Sequence, residues 1–303
     1  VSSSAANARE TAIAAESLTK VSKNTRFFAG IASSYSDIWK HRDLLAQLTR
    51  REIRSKYKAS ALGIVWSLIK PLTQLLIYYF AIGQVLGAAR SIPDFAVFVF
   101  GGLTLWGFFT EVLSLSPQTL LGNGSIVKKV YVPRELFTLS MMGNALLNFA
   151  IQCILLFGLA FLTGARPLIG MIGYGALGFA IILILSFGLG LLISAINVYV
   201  RDVEHFVGVI LAIFFWLSPV VYSFAFVKQI ITGFWLELYL SNPVTIAIMG
   251  FQKFAWRSGN ATEGTWPDDL LQRMWITLIF ALVFTFLAQR IFSRMQRSIA
   301  QEL

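Results

Sequence analysis

The chain has 303 residues, 56% of them hydrophobic and only 13% charged, with a mean hydropathy of +0.70. A water-soluble domain carries about a quarter charged residues and needs them to cover its surface, so a soluble fold is excluded and an all-α integral membrane protein is expected. The net charge of +10 is no nucleic-acid footprint: eleven of the 25 Lys and Arg residues precede residue 60 and most others flank apolar runs, as basic segments beside anionic lipid do.

Residues 1–36 are polar and rich in Ser and Ala, with no apolar stretch long enough for a signal-peptide core, and read as a disordered cytoplasmic tail. Residues 37–58 read as an amphipathic helix. Ile38, Leu44, Leu45 and Leu48 fall within an arc of about 120°, and Lys40, Asp43, Arg50, Arg51, Arg54 and Lys58 crowd the opposite side. Such a helix either lies in the membrane interface with its basic face among headgroups or docks on a soluble partner.

A membrane-spanning helix takes about 20 apolar residues, and a permease-like domain over 59–291 offers six such stretches. They are 59–89 with one charge, Lys70; 95–116 with one, Glu111; 136–163 and 167–196 with none; 206–227, carrying Pro219; and the shorter 274–289. The stretch 229–252 holds Glu237 and is split at Asn242-Pro243. The residue before a proline is driven out of the α region, so neither half can cross, and an outer re-entrant helical hairpin is expected. With both termini cytoplasmic, the inner segments hold eighteen Lys and Arg and the outer ones six. A crossing hairpin would move Arg290, Arg294 and Arg297 outside, against the positive-inside rule. Residues 292–303 are then a cytoplasmic tail.

Catalytic chemistry is missing. No G-x-x-x-x-G-K-[ST] loop exists to cradle nucleotide phosphates, and His41 and His205 are the only histidines, so no metal site is expected. The lone Cys153 can form no intrachain disulfide. Ion-coupled transporters place ionisable groups at mid-membrane; Lys70 and Glu111 both lie towards the inner edge, a poor relay. In the third stretch Ser140, Asn144, Asn148 and Gln152 form a polar stripe, either hydrogen-bonding glue between helices or the wall of a water-filled path. Gly170, Gly173, Gly175, Gly178, Gly188 and Gly190 of the fourth are expected to allow close helix contact. Aromatic residues make up 14% of the chain. They either form interface belts or present ring faces to sugars.

Several strings resemble the polysaccharide-exporting ABC permeases of bacterial envelopes, which move O-antigen, teichoic acid, capsule or cell-wall galactan. Arg54-Ser-Lys-Tyr-Lys-Ala-Ser-Ala-Leu-Gly63 with Trp66 and Pro71 is similar to the family's approach to its first span. Ser125 to Glu135 resembles its loop between spans two and three; Arg201-Asp202-Val203 with Phe215, Ser218, Pro219, Val220 and Tyr222 resembles its fifth-span signature; Ser241-Asn242-Pro243 resembles its outer break. The tail before Ser36 is longer than the family core requires.

The resemblance implies two copies of this chain with two separate ATPase subunits, ATP and magnesium being held there and no cofactor here. It implies a conduit lined by the first and fifth spans, with Trp66, Tyr78, Tyr79, Phe214, Phe215, Trp216 and Tyr222 as candidates. Arg50, Arg51, Arg54 and Lys70 lie at the depth of a lipid phosphate. Between Gly124 and Pro133, a short helix over Ser125–Val132 capped by Ser125 is expected to meet the ATPase. Ile126, Val127 and Val130 would supply its apolar contact, flanked by Lys128, Lys129, Tyr131, Arg134 and Glu135, unless these basic residues merely anchor the membrane face. The substrate so implied is a polyprenyl-linked polysaccharide at the plasma membrane. A drug or lipid permease, or a membrane enzyme acting on lipid-linked sugars, is the alternative, and co-purification of an ATPase separates the enzyme from the permeases.

Overall fold

The computed structural model describes residues 39–58, 63–129, 132–261 and 264–302. From Arg42 on, the described residues are helices and turns. The helices are α1 (Arg42–Tyr57), α2 (Trp66–Tyr78), α3 (Ala88–Ser91), α4 (Phe95–Leu121), α5 (Gly124–Lys129) and α6 (Glu135–Leu162). They continue as α7 (Ile172–Tyr199), α8 (Val203–Trp216), α9 (Phe224–Ile230), α10 (Phe234–Leu240), α11 (Pro243–Ala255) and α12 (Leu270–Glu302).

Four of the described helices are long and apolar enough to cross a membrane: Phe95–Leu121, Glu135–Leu162, Ile169–Tyr199 and Leu270–Gln296. The first and fifth apolar stretches are built differently from the unbroken spans expected of them. The first is α2 followed by a π-helical run, Tyr79–Val85, which ends where Gly87 takes a left-handed φ of 78°. The fifth stops at Trp216 after 14 residues, because Pro219 bars Ser218 from the α region; residues 217–223 are turns. The segment 292–302, expected as a tail, continues α12 without a break.

At the centre stands α4, predominantly apolar and buried along most of its length, with Ser114, Leu115 and Gln118 exposed in its later turns, as a helix apolar on most of its faces must be. It packs against α6, α7, α8 and α11. The second buried element is α11, in the stretch expected to form the outer hairpin. Asn242 caps it, its side chain accepting from the Val244 N–H, and Pro243 occupies the first turn, where its missing N–H costs nothing. Residues Val244 to Gln252 are then buried without interruption between α4, α7 and α12.

Small residues set the helix separations. A Cβ at Gly178 would lie 2.5 Å from the Ala247 carbonyl oxygen, and one at Gly102 equally close to that of Val220. Gly188 admits Thr285 of α12, whose hydroxyl donates to the Ile184 carbonyl at 2.8 Å. Gly175 and Gly190 also sit against neighbours, whereas Gly170 and Gly173 face open space, so the glycine row brings helices together over its later part only.

Candidate functional site

Helix α1 packs along α6, with Leu48 buried and Thr49 seated on Gly143, where any side chain would collide with it. That contact leaves Arg50, Arg51, Arg54 and Lys58 on the exposed side and brings Lys56 over the end of the bundle that carries Glu111. There Lys56 Nζ donates to Glu111 Oε1 at 2.7 Å, and Asn148 Nδ2 donates to the same oxygen. Asn148 Oδ1 accepts from Ser67 Oγ of α2 at 3.2 Å. The one carboxylate of the second apolar run is therefore ion-paired and hydrogen-bonded, with its side chain 18% exposed. Around this network lies a cleft of about 840 Å³, lined by α1, α2, α4 and α6. Trp66 and Lys70 stand in its wall, as do Asn144 and Gln152 of the polar stripe.

The remaining aromatic candidates lie elsewhere. Phe215 is 7% exposed and packed, with ring centroids 5.6 Å from both Tyr78 and Trp106. It is a core residue of this chain, with Tyr78 half-buried beside it. Tyr79 packs on Phe95 and Phe80, and Phe214 is half-buried. Trp216, 60% exposed, and Tyr222 line a separate apolar pocket of about 440 Å³ with Ile82, Val221, Ile230 and Tyr239. Its mouth is shaped by a turn that the Tyr222 hydroxyl closes by donating to the Trp216 carbonyl at 2.7 Å.

The turn is anchored from α11. Thr245 Oγ1 donates to the Leu217 carbonyl at 3.2 Å, and Asn242 Nδ2 to Ser218 Oγ at 3.4 Å. Gln252 Nε2 reaches the Pro219 carbonyl at 3.1 Å and the Phe98 carbonyl of α4 at 3.4 Å. The strings around Ser218-Pro219 and Asn242-Pro243 are thus two halves of one junction. Gln252 and Thr245 escaped the sequence reading; a glutamine within an apolar run was the signal that could have found them. Outside it, Arg273 clamps α10 to α12 through paired bonds to Glu237 at 2.9 and 3.1 Å and one to Asp269 at 2.8 Å. The bond from Arg273 holds the Asp269 carboxyl below its ordinary range.

The loop after α4 differs from expectation in its cap. The Ile126 and Val127 N–H groups donate to the Asn123 carbonyl, so the helix begins at Gly124 and the exposed Ser125 lies within its first turn. Asn123 is the residue that organises this end: its Nδ2 donates to the Thr119 carbonyl at 2.8 Å, closing α4, and its Oδ1 accepts from Arg51 of α1. Ile126 and Val127 are half-buried. Val130 and Tyr131 lie outside the described residues, as do the side chains of Lys128 and Lys129. Pro133 and Arg134 are half-buried, and Glu135 is buried at the start of α6.

Residues 43–255, from α1 to the end of α11, match the ABC-2 type transporter family. The chain belongs to that family. This ABC-2 permease is also similar to curated proteins called O-antigen export system permease protein RfbA. Two from Klebsiella pneumoniae are 26% identical over 263 residues and 27% over 261, covering 86% of this chain and 95% of theirs. One from Myxococcus xanthus is 27% identical over 193 residues, 64% of this chain and 73% of its own. ABC-2 permeases of this kind are multi-pass membrane subunits that lack the ATPase domain and are not themselves enzymes. Among the described residues there is also no group of His, Cys, Asp and Glu able to hold a metal.

Proposed function

We propose that this permease exports a polyprenyl-linked polysaccharide, of O-antigen, teichoic-acid or cell-wall galactan type, across the plasma membrane. Two copies would work with two ATPase subunits that bind ATP and magnesium. The observation that carries the reading is the likeness to O-antigen export permeases along 95% of their length. In this reading α2 with its π-helical run and α8 with the turn after it complete a set of six spans. Helix α1 lies in the inner interface, α10 and α11 dip in from the outer face, and both termini are cytoplasmic. Phe206, Val209, Ile210, Ile213 and Trp216 expose one face of α8, and Leu76, Ile77 and Phe80 do so beside it on the first stretch. Such apolar surface suits a second copy across a shared path. Arg50, Arg54 and Lys70 would meet the lipid phosphate, and α5 would meet the ATPase.

The test is depletion of the permease followed by isolation of lipid-linked glycans from the inner leaflet. Accumulation of one such glycan, relieved by the wild-type chain together with its ATPase, is the expected result. A cell whose lipid-linked glycans are unchanged by depletion excludes this substrate class.

A further inference from the structure

The cleft between α1, α2, α4 and α6 is chemically unlike the basic face of α1 beside it. Its charged lining residues are Glu52, Lys56, Lys70 and Glu111, which balance in sign; Lys56 is committed to Glu111 at 2.7 Å and Glu52 to Arg51 at 2.9 Å. A phosphate site needs a cluster of cations, and among these lining residues Lys70 alone stands outside the two pairs. What it offers is a carboxylate, three carboxamides (Asn144, Asn148 and Gln152), the hydroxyls of Ser67 and Ser114, and Trp66, 43% exposed. One polar atom there is unfinished. Asn144 is 4% exposed, and its Oδ1 has no hydrogen-bond partner although it is buried. A buried acceptor left in that state is costly unless a ligand or ordered water supplies a donor. Two turns further along α6 the Gln152 carboxamide rests against Gly107 of α4, where an added Cβ would come within 3.2 Å of its Oε1 and the amide would have to give way.

Acceptors, amide donors and one indole face form a set that complements a pyranose ring, whose hydroxyls donate and accept and whose C–H face is apolar. The volume of about 840 Å³ is within the range of small-ligand sites, on the order of 300–1,000 Å³. We propose that this cleft binds the first sugar of the lipid-linked glycan, the ring attached to the lipid phosphate. Adjacency carries the assignment to that ring: Ser55 and Lys56 line the cleft, while Arg54, the next residue along α1, stands on the exposed basic side. A phosphate held by Arg50 and Arg54 places its own sugar at the mouth. The permease thereby reads the reducing end of its substrate, a selection separate from anything the ATPase subunit does.

This inference rests on the export reading above, and the experiment separates the two. Binding is measured on the permease–ATPase complex in nanodiscs with four probes: bare polyprenyl diphosphate, and the same lipid carrying a single glucose, galactose or N-acetylglucosamine. At least one glycosylated probe is expected to bind about tenfold more tightly than the bare lipid, the gain that one or two net hydrogen bonds supply. Asn144→Leu and, independently, Gln152→Met should make that probe and the bare lipid bind alike. The bare lipid serves as the folding control within each variant. If the bare lipid binds and no sugar improves it, or if the gain survives both substitutions, the cleft does not read sugar, and the export reading stands. If no polyprenyl probe binds at all, the export reading falls and the cleft assignment with it.

Discussion

Arg51 donates to Asn123 at the head of α5 and to Glu52, so it joins two elements, whereas Arg50 and Arg54 belong to the exposed basic face. Charge reversal at Arg50 and Arg54 is therefore expected to lower export more than neutral Gln at both, measured in membrane vesicles. Only close contacts should respond, since screening acts over about 10 Å at 0.1 M salt. Arg51→Gln and Asn123→Ala should each cost about 0.5–1.5 kcal/mol in detergent unfolding, the usual worth of one hydrogen bond. Because they share that bond, the double variant should cost less than the sum of the two. Tyr222 separates ring from hydroxyl. Tyr222→Phe keeps the ring but frees the Trp216 carbonyl, so it should lower stability by about 1 kcal/mol and leave most export. Tyr222→Ala with Trp216→Ala should lose export while still co-purifying the ATPase. Normal export by that pair would return both rings to an ordinary interface belt.

At the scale of the element, α5 is short and can transmit force only by a well-packed contact. Ile126→Asp or Val130→Asp should abolish coupled export, because a carboxylate buried in an apolar contact costs several kcal/mol, while membrane insertion stays normal. Wild-type export and ATPase association in both variants would remove this helix from the coupling path. The Arg273 clamp is electrostatic. Asp269 titrates below its ordinary range because Arg273 bonds to it, so its contribution is whole above about pH 4 and is lost as pH falls through the lower folded value. Protease sensitivity of the 233–242 region should accordingly be flat from pH 8 to 5 and rise only in stronger acid; Asp269→Asn should show the acid-like sensitivity already at pH 7. Being partly exposed, the pair is worth less than about 1 kcal/mol. These elements also show why the sequence was only partly readable. Long apolar runs with one charge or none announce α4, α6, α7 and α12, and Asn242-Pro243 announces a break. The cap of α5 was misplaced to Ser125 because the helix opens on the Asn123 carbonyl, a backbone acceptor any residue could supply; the bond from Arg51 to the Asn123 side chain, 72 residues apart in sequence, lay equally beyond local capping rules.

For the whole molecule, the arrangement of spans is testable with single cysteines at Ser3, the exposed Ala261 and Ser298 in a Cys153→Ser background. Only Ala261→Cys should react with an impermeant thiol reagent added to intact cells; outside labelling of Ser298→Cys would overturn the six-span arrangement. Hydropathy discloses which stretches are apolar but not which of them sit innermost. Helices α4 and α11 look less like spans than α6 or α7, yet they form the buried centre, because burial was settled by packing at Gly102, Gly178 and Gln252. The cleft was half legible: Glu111 was expected towards one edge of its span, but Lys56, which pairs with it, comes from another helix, 55 residues earlier. Phe215 lay in a signature string and proved to be core, since periodicity alone does not say which face of α8 turns inward.

The burial of α11 also bears on how the chain is made. Helix α4 leaves the ribosome well over a hundred residues before Gln252, the residue that ties the Pro219 turn to the Phe98 carbonyl. Until α11 arrives, the groove left by Gly101 and Gly178 has no occupant, and a 13-residue segment is too short for insertion as a span of about 20. It must reach its place after α4 and α7 are already in the bilayer, and α12, made later still, closes over it. Nascent chains arrested at Leu240 should therefore remain susceptible to the quality-control proteases that survey unfinished membrane proteins, and completion of the chain through α12 should end that susceptibility. The keystone is threaded late, and biogenesis of this permease is a race between its delivery and degradation.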